Sequence, residues 1–275
     1  MEGKIQMKCP HCQSDNENGA VRCASCGADL GGAKQAAAGL KAVTVGGRVI
    51  GKKAREARLK EIVDPKLIVS DQVYNGVIGV VLLWGLLVNV LLCYFAGDFA
   101  RSIPPIPFTI GYVVLAFAGI IIAGKSQTPW VSFLGYNMVV LPFGLVIASL
   151  VAEYVDYYAV DIVYDAFLYT MIIAVGITGA ALAFPNFFAK IGGALLGCLF
   201  GVLILEIVLL LLGKDQVVTD WIVAGVFSLY IGFDVWRSQQ FPKTVDNAVD
   251  CALDIYLDLA NLFIRLLSIL ARKDD

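Results

Sequence analysis

Two sets of residues in this chain have types and spacings that can do chemistry. The first is cysteine. Cys9 and Cys12 flank Pro10-His11, and Cys23 and Cys26 flank Ala24-Ser25, giving the pattern CxxC-x10-CxxC. Two such knuckles bring four thiolates to one tetrahedral Zn2+, with Zn–S distances of about 2.3 Å. A segment this short buries no useful core, so bound metal would supply its folding free energy. Four thiolates close the coordination shell. The expected zinc is therefore structural, with Cys9, Cys12, Cys23 and Cys26 as its ligands. A redox CxxC is the rival reading, but that motif belongs in a βαβ context which the surrounding sequence lacks. His11 is the only histidine in the chain and reads as a solvated knuckle residue. Cys93, Cys198 and Cys251 stand isolated in apolar runs and read as packing residues.

The second set is acidic and lies where acids are costly. Residues 246–270 read DNAVDCALDIYLDLANLFIRLLSIL. An aspartate at the centre of a spanning helix costs about 2.5–3.5 kcal/mol on insertion scales. At about 100° per residue, Asp250, Asp254, Asp258, Asn261 and Arg265 fall within roughly 80° of one another, on one helix face. That face cannot look at lipid; it must meet the bundle interior or a wet cavity. The preceding run, FSLYIGFDVW, adds Asp234, with Ser228 and Tyr230 nearby. A short connection makes these last two helices antiparallel neighbours, which lets Asp234 approach an acid of the final helix. Carboxylates that close do not both ionise cheaply, so they share a proton and titrate as a pair. The functional reading is a proton-sensitive latch. The bland reading keeps Asp250 and Asp254 interfacial and solvated, and pairs Asp258 structurally with Arg265 or Lys125. The bland reading is preferred for Asp250, and the functional one for Asp234 and Asp258. Glu206, a lone acid in LILEIVLLLL, fits either.

The elements that position these residues follow from composition. The 275 residues are 59% hydrophobic and only 16% charged, with a mean hydropathy of +0.76. A soluble domain carries about 25% charged residues, so a water-soluble enzyme of ordinary build is excluded. From residue 73 onward, apolar runs recur at about 73–97, 106–124, 130–152, 163–184, 188–213, 217–236 and 247–271, each close to the roughly 20 residues a spanning helix needs. Backbone in lipid must satisfy itself, in helices or in a closed barrel. Continuous apolar runs do not fit a barrel's alternation. The expected fold is all-α: a polytopic membrane bundle of about seven transmembrane helices over residues 73–271, preceded by a small zinc ribbon (1–30) and a flexible basic linker and juxtamembrane segment (31–72). Within that linker, KKAREARLKEIV reads as a positive-inside signal or as an anionic-lipid site.

Charge sets the expected orientation. Twelve of the 21 Lys and Arg lie in residues 1–72, which predicts a cytoplasmic N-terminus and a multi-pass protein of the cell (inner) membrane if the source is prokaryotic. The first residues lack an apolar stretch, so no cleavable signal peptide is expected. A last helix that stops short of a full crossing is an open alternative. Catalytic machinery is missing: without a histidine beyond the head, Ser-His and HExxH arrangements cannot form, and there is no P-loop. The glycine pairs read as helix-packing sites. No enzyme activity and no nucleic-acid partner are expected. The expected partners are the lipid bilayer and a cytosolic protein at the zinc ribbon.

FSLYIGFDVWRSQQ followed by ALDIYLDLANLFIRLL resembles the last two helices of the transmembrane Bax-inhibitor-motif (Bax inhibitor-1) family. Asp234 and Asp258 match that family's two aspartates, and their separation matches as well. DAFLYTMIIAVGITGAALAF and FAKIGGALLGCLFGVLILEIVLLL resemble its fourth and fifth helices, so the likeness covers roughly residues 73–271. It implies a seven-helix bundle with the last helix central, acting as a pH-sensitive calcium leak. In the family's bacterial members an aspartate pair senses protons, and an arginine at the end of the second helix helps latch it. Here that region reads AGKSQTPW, and Lys125 is the only cation there. The zinc head lies outside the family's core. The preferred reading is a passive, proton-gated Ca2+ leak whose pathway uses Asp234, Asp250, Asp254 and Asp258 with Arg265 and Lys125, because carboxylates are hard ligands suited to Ca2+. The alternative is a non-transporting structural or regulatory membrane protein whose zinc head binds a cytosolic partner. A proton-coupled transporter would predict inverted repeats with interrupted helices, and none is evident in the sequence.

Overall fold

The computed structural model describes residues 6–8, 15–17, 65–158, 160–213 and 217–272. Two compact units divide the chain, residues 1–62 and residues 63–275. In the first, strands β1 (Gln6–Lys8) and β2 (Asp15–Glu17) pair antiparallel, with Met7 opposite Asn16. The predicted zinc ligands Cys9, Cys12, Cys23 and Cys26 lie outside the described residues, as does the predicted basic linker up to residue 64.

The second unit is a helix bundle. It consists of α1 (Asp71–Ser102), α2 (Pro105–Lys125), α3 (Pro129–Tyr157), α4 (Val160–Ala183), α5 (Pro185–Leu211), α6 (Val217–Ser238) and α7 (Val245–Ala271). Local chemistry sets the ends. The Ser70 side chain accepts the Val73 amide at 3.3 Å, and Thr244 Oγ1 accepts the Asn247 amide at 3.1 Å, capping α1 and α7. Proline opens α2, α3 and α5, where its missing N–H would have been unsatisfied in any case. Gly213, at φ 61°, takes the left-handed turn that stops α5.

Among the described residues six helices, α1 to α6, are long and apolar enough to cross a membrane. This refines the expectation of seven apolar spans. The seventh helix has 27 residues and sufficient length, but its stripe of acids removes it from that class. Packing explains how it is tolerated. The α7 helix packs against α1, α3, α4 and α6, and both of its polar and apolar faces are largely buried, from Asp246 and Asp250 to Tyr256 and Leu267. The outer helices do the reverse, with Val114, Phe117, Val175, Phe200 and Leu210 all exposed. Apolar surface on this scale is not left to water; it fits hydrocarbon. The chain is a multi-pass integral membrane protein whose most polar helix lies at the centre.

Close backbone approach tightens one wall. A Cβ on Gly119 would stand 2.6 Å from the Gly135 carbonyl oxygen, and one on Gly135 would stand equally close to that of Gly119. Helices α2 and α3 therefore meet at glycine, the small-residue contact by which helices associate in lipid. Beside α7, the Tyr256 hydroxyl donates to Asn89 Oδ1 at 3.0 Å and the Tyr136 hydroxyl to the Val81 carbonyl at 2.9 Å, so the buried hydroxyls are satisfied. At the other end of the core, the Val69 amide donates to the Lys243 carbonyl at 2.8 Å, tying the entry to α1 to the connection between α6 and α7.

Candidate functional site

The acids of α7 follow one another at Asp246, Asp250, Asp254 and Asp258, one turn apart, and each faces a different neighbour. Asp246 accepts a hydrogen bond from Ser132 Oγ of α3 at 2.6 Å. Asp250 is buried near Tyr74 of α1 and the Cys251 thiol. Asp254 accepts from the Arg237 guanidinium of α6. The Asp258 carboxyl meets the Asp234 carboxyl of α6 within hydrogen-bonding reach. Asp234, Arg237 and Asp258 are each only 7% exposed.

Arg237 organises this cluster. Its Nη2 lies 3.3 Å from Asp234 Oδ1 while the same nitrogen serves Asp254, and its guanidinium carbon sits 5.5 Å from the centre of the Phe233 ring. One cation therefore stands among three carboxylates, with Asp234 and Asp258 in the low-dielectric interior and Asp254 at its margin, its side chain 40% exposed. Two carboxylates side by side there are tolerated when one proton lies between them or a cation neutralises them. Below the cluster, the Tyr74 hydroxyl donates to the Ser238 carbonyl at 2.9 Å and lies 3.3 Å from Cys251 Sγ. Lys243 Nζ sits 4.6 Å over the Tyr74 ring and donates to Gln239 Oε1 at 2.7 Å.

The geometry sorts the residues singled out by sequence. Asp234 and Asp258 come together. Asp254 joins them through Arg237. Asp250 is buried and not solvated, because neighbouring helices close over the first half of α7. Arg265 does not pair with Asp258. It lies two turns further along α7 and binds Asp220 and Glu206, so Glu206 is not a lone acid. Lys125 ends α2 as an exposed residue. The charged groups acting on Asp258 are Asp234, Asp254 and Arg237, so the cation beside the pair comes from α6 and not from the end of α2. Sequence reasoning missed Arg237, Asp220 and Asp246. Arg237 carried a readable signal, since it stands three residues after Asp234, where two helical side chains meet. Among the described residues, no group of three or more His, Cys, Asp and Glu is placed to hold a metal ion. The acids form a column along α7, not a chelating cluster.

A buried acidic helix packed among apolar ones defines a class: a polytopic membrane protein with an ionisable seam at its core. The profile of the family described as Inhibitor of apoptosis-promoting Bax1 matches residues 69–275, and the chain belongs to that family. No curated protein matches the chain.

Proposed function

We propose that the chain is a passive, pH-sensitive, calcium-permeable leak, gated by a proton shared between Asp234 and Asp258. The observation that carries this reading is the contact of those two carboxylates across α6 and α7, buried and attended by a single guanidinium. With one proton between them the pair bridges the two helices. Without it, two like charges about 4 Å apart repel by roughly 4 kcal/mol at an effective dielectric of 20. Half of that repulsion shifts a two-state equilibrium by more than about tenfold, enough to gate a pathway. The acid column offers the oxygen ligands that a hard divalent cation takes.

In the same reading the N-terminus is cytoplasmic, the host membrane is a cell (inner) membrane if the source is prokaryotic, and no reaction is catalysed. Cys9, Cys12, Cys23 and Cys26 hold one structural Zn2+, and the resulting ribbon docks a cytosolic protein. The deciding experiment is Ca2+ flux into proteoliposomes holding the full chain, measured across pH. Flux that varies with pH supports the leak. Vesicles as tight to Ca2+ as protein-free ones at every pH would overturn it and favour a non-transporting, regulatory role.

A further inference from the structure

The bundle holds a second ionic cluster, centred on a buried aspartate, at the opposite end of the α6–α7 pair from Asp234 and Asp258. Asp220, in the first turn of α6, is 1% exposed. Its Oδ1 accepts from Arg265 Nη1 at 2.7 Å, and its Oδ2 accepts from Arg272 Nη1 at 2.7 Å and Ser268 Oγ at 3.0 Å. Arg265 also grips Glu206 of α5, with Nη1 2.8 Å from Oε1 and Nη2 3.0 Å from Oε2. Two acids and two arginines thus join α5, α6 and the end of α7, and their formal charges cancel. None of them touches the Asp234–Asp258 pair.

Their position along α7 gives the cluster a consequence. The polar face of that helix continues past Asp258 through Asn261 to Arg265, Ser268 and Arg272. Its first half is acidic and its second half basic. Side chains from α5, α6 and the end of α7 meet there in a charge-neutral network, so a cation drawn along the acids meets a plug of mutually bound groups and not further carboxylates open to it. The α5 helix packs on α6 and α4, while Leu203, Ile204, Ile207 and Leu210 around Glu206 stay exposed. Glu206 therefore belongs to a helix at the bundle's edge, held to α6 through the contact of Leu195 with Val226 and Tyr230. The buried Asp220 carboxylate makes removal of either arginine costly, because it leaves a buried charge without its partner.

We infer that the Glu206–Arg265–Asp220–Arg272 cluster is a second gate, closing the far end of the α7 seam to cations while its arginines are held by the two acids. This rests on the leak reading above and adds an exit barrier to it. The test is Ca2+ flux of the full chain in proteoliposomes, at the pH where the unaltered protein conducts most and the aspartate gate is open. Arg272→Gln, which removes the more exposed guanidinium (39% exposed side chain), and Glu206→Gln should raise flux about tenfold or more, a usual size for coupling between two sites. The pH response should persist, because the aspartate pair is untouched. A second arm guards against misfolding in those variants. Ser268→Cys is nearly isosteric, and a cationic methanethiosulfonate attached there should abolish flux in this variant but not in the unaltered chain treated alike. Unaltered protein that conducts, with neither charge variant nor labelled Ser268→Cys changing its flux, would overturn the gate and leave the leak standing. Unaltered protein that passes no Ca2+ would overturn both.

Discussion

Four side chains decide the behaviour of the buried pair: Asp234, Asp258, Asp254 and Arg237. An amide in place of either paired carboxylate keeps a hydrogen bond whatever the pH, since it does not ionise near neutrality. Asp234→Asn and Asp258→Asn should each flatten the pH profile of Ca2+ flux, and profiles identical to that of the unaltered protein would remove the pair as sensor. Arg237→Gln leaves three acids around an empty position. Removing one partner of a buried pair costs about 3–5 kcal/mol, so this variant should melt well below the parent in detergent. Arg237→Lys should recover only part of the loss, because a lysine carries the charge but not the planar guanidinium that lies against Phe233 while its Nη2 serves Asp234 and Asp254. A melting point unmoved in Arg237→Gln would mean that the carboxylates are neutralised by something other than the guanidinium.

Among the elements, α7 is polar enough to need shielding, and the helices around it supply that shield at fixed separations. The α2–α3 contact shows how little slack there is. A side chain at Gly119 or Gly135 meets the opposing backbone at 2.6 Å, and backbone has no rotamer with which to give way. Overpacking of this kind costs about 1–3 kcal/mol, so Gly135→Val should lower thermal stability in detergent. Gly176 in α4 has nothing within 4 Å of a built Cβ, and Gly176→Ala should be neutral, or stabilising through helix propensity. Equal melting shifts for the two would contradict the close approach.

At the scale of the whole molecule, the environment and the N-terminal unit can be tested separately. Trp84, Trp130 and Trp221 are exposed on the outer face of the bundle. If that face meets hydrocarbon and its margins, lipids brominated on the acyl chain should quench much of the tryptophan fluorescence in proteoliposomes. Fluorescence insensitive to brominated lipid would contradict the bilayer assignment. For the N-terminal unit, metal analysis of the full chain should find one Zn2+, removable by a strong chelator and lost when Cys9 and Cys12 are both replaced by serine. Preparations that never contain zinc would remove the ribbon.

The sequence by itself determined the membrane class, the helical spans to within a few residues, and the amphipathic last helix, because each is written in local periodicity and hydropathy. The 24-residue spacing that places Asp234 and Asp258 on adjoining helices was legible too, through its likeness to a family motif. What only the tertiary structure decided is lateral: which helix stands beside which, and therefore which charge meets which. Lys125 and Arg237 were both cations near the right end of a helix. Arg265 offered itself to Asp258 on its own face, yet turned to Asp220 and Glu206, which lie 45 and 59 residues away in the chain. Apolar runs resemble one another, and lipid gives them no hydrophobic reason to choose neighbours. Neighbours are chosen by close glycine contacts and by the partners that buried polar groups find on other helices, and these are properties of the assembled bundle.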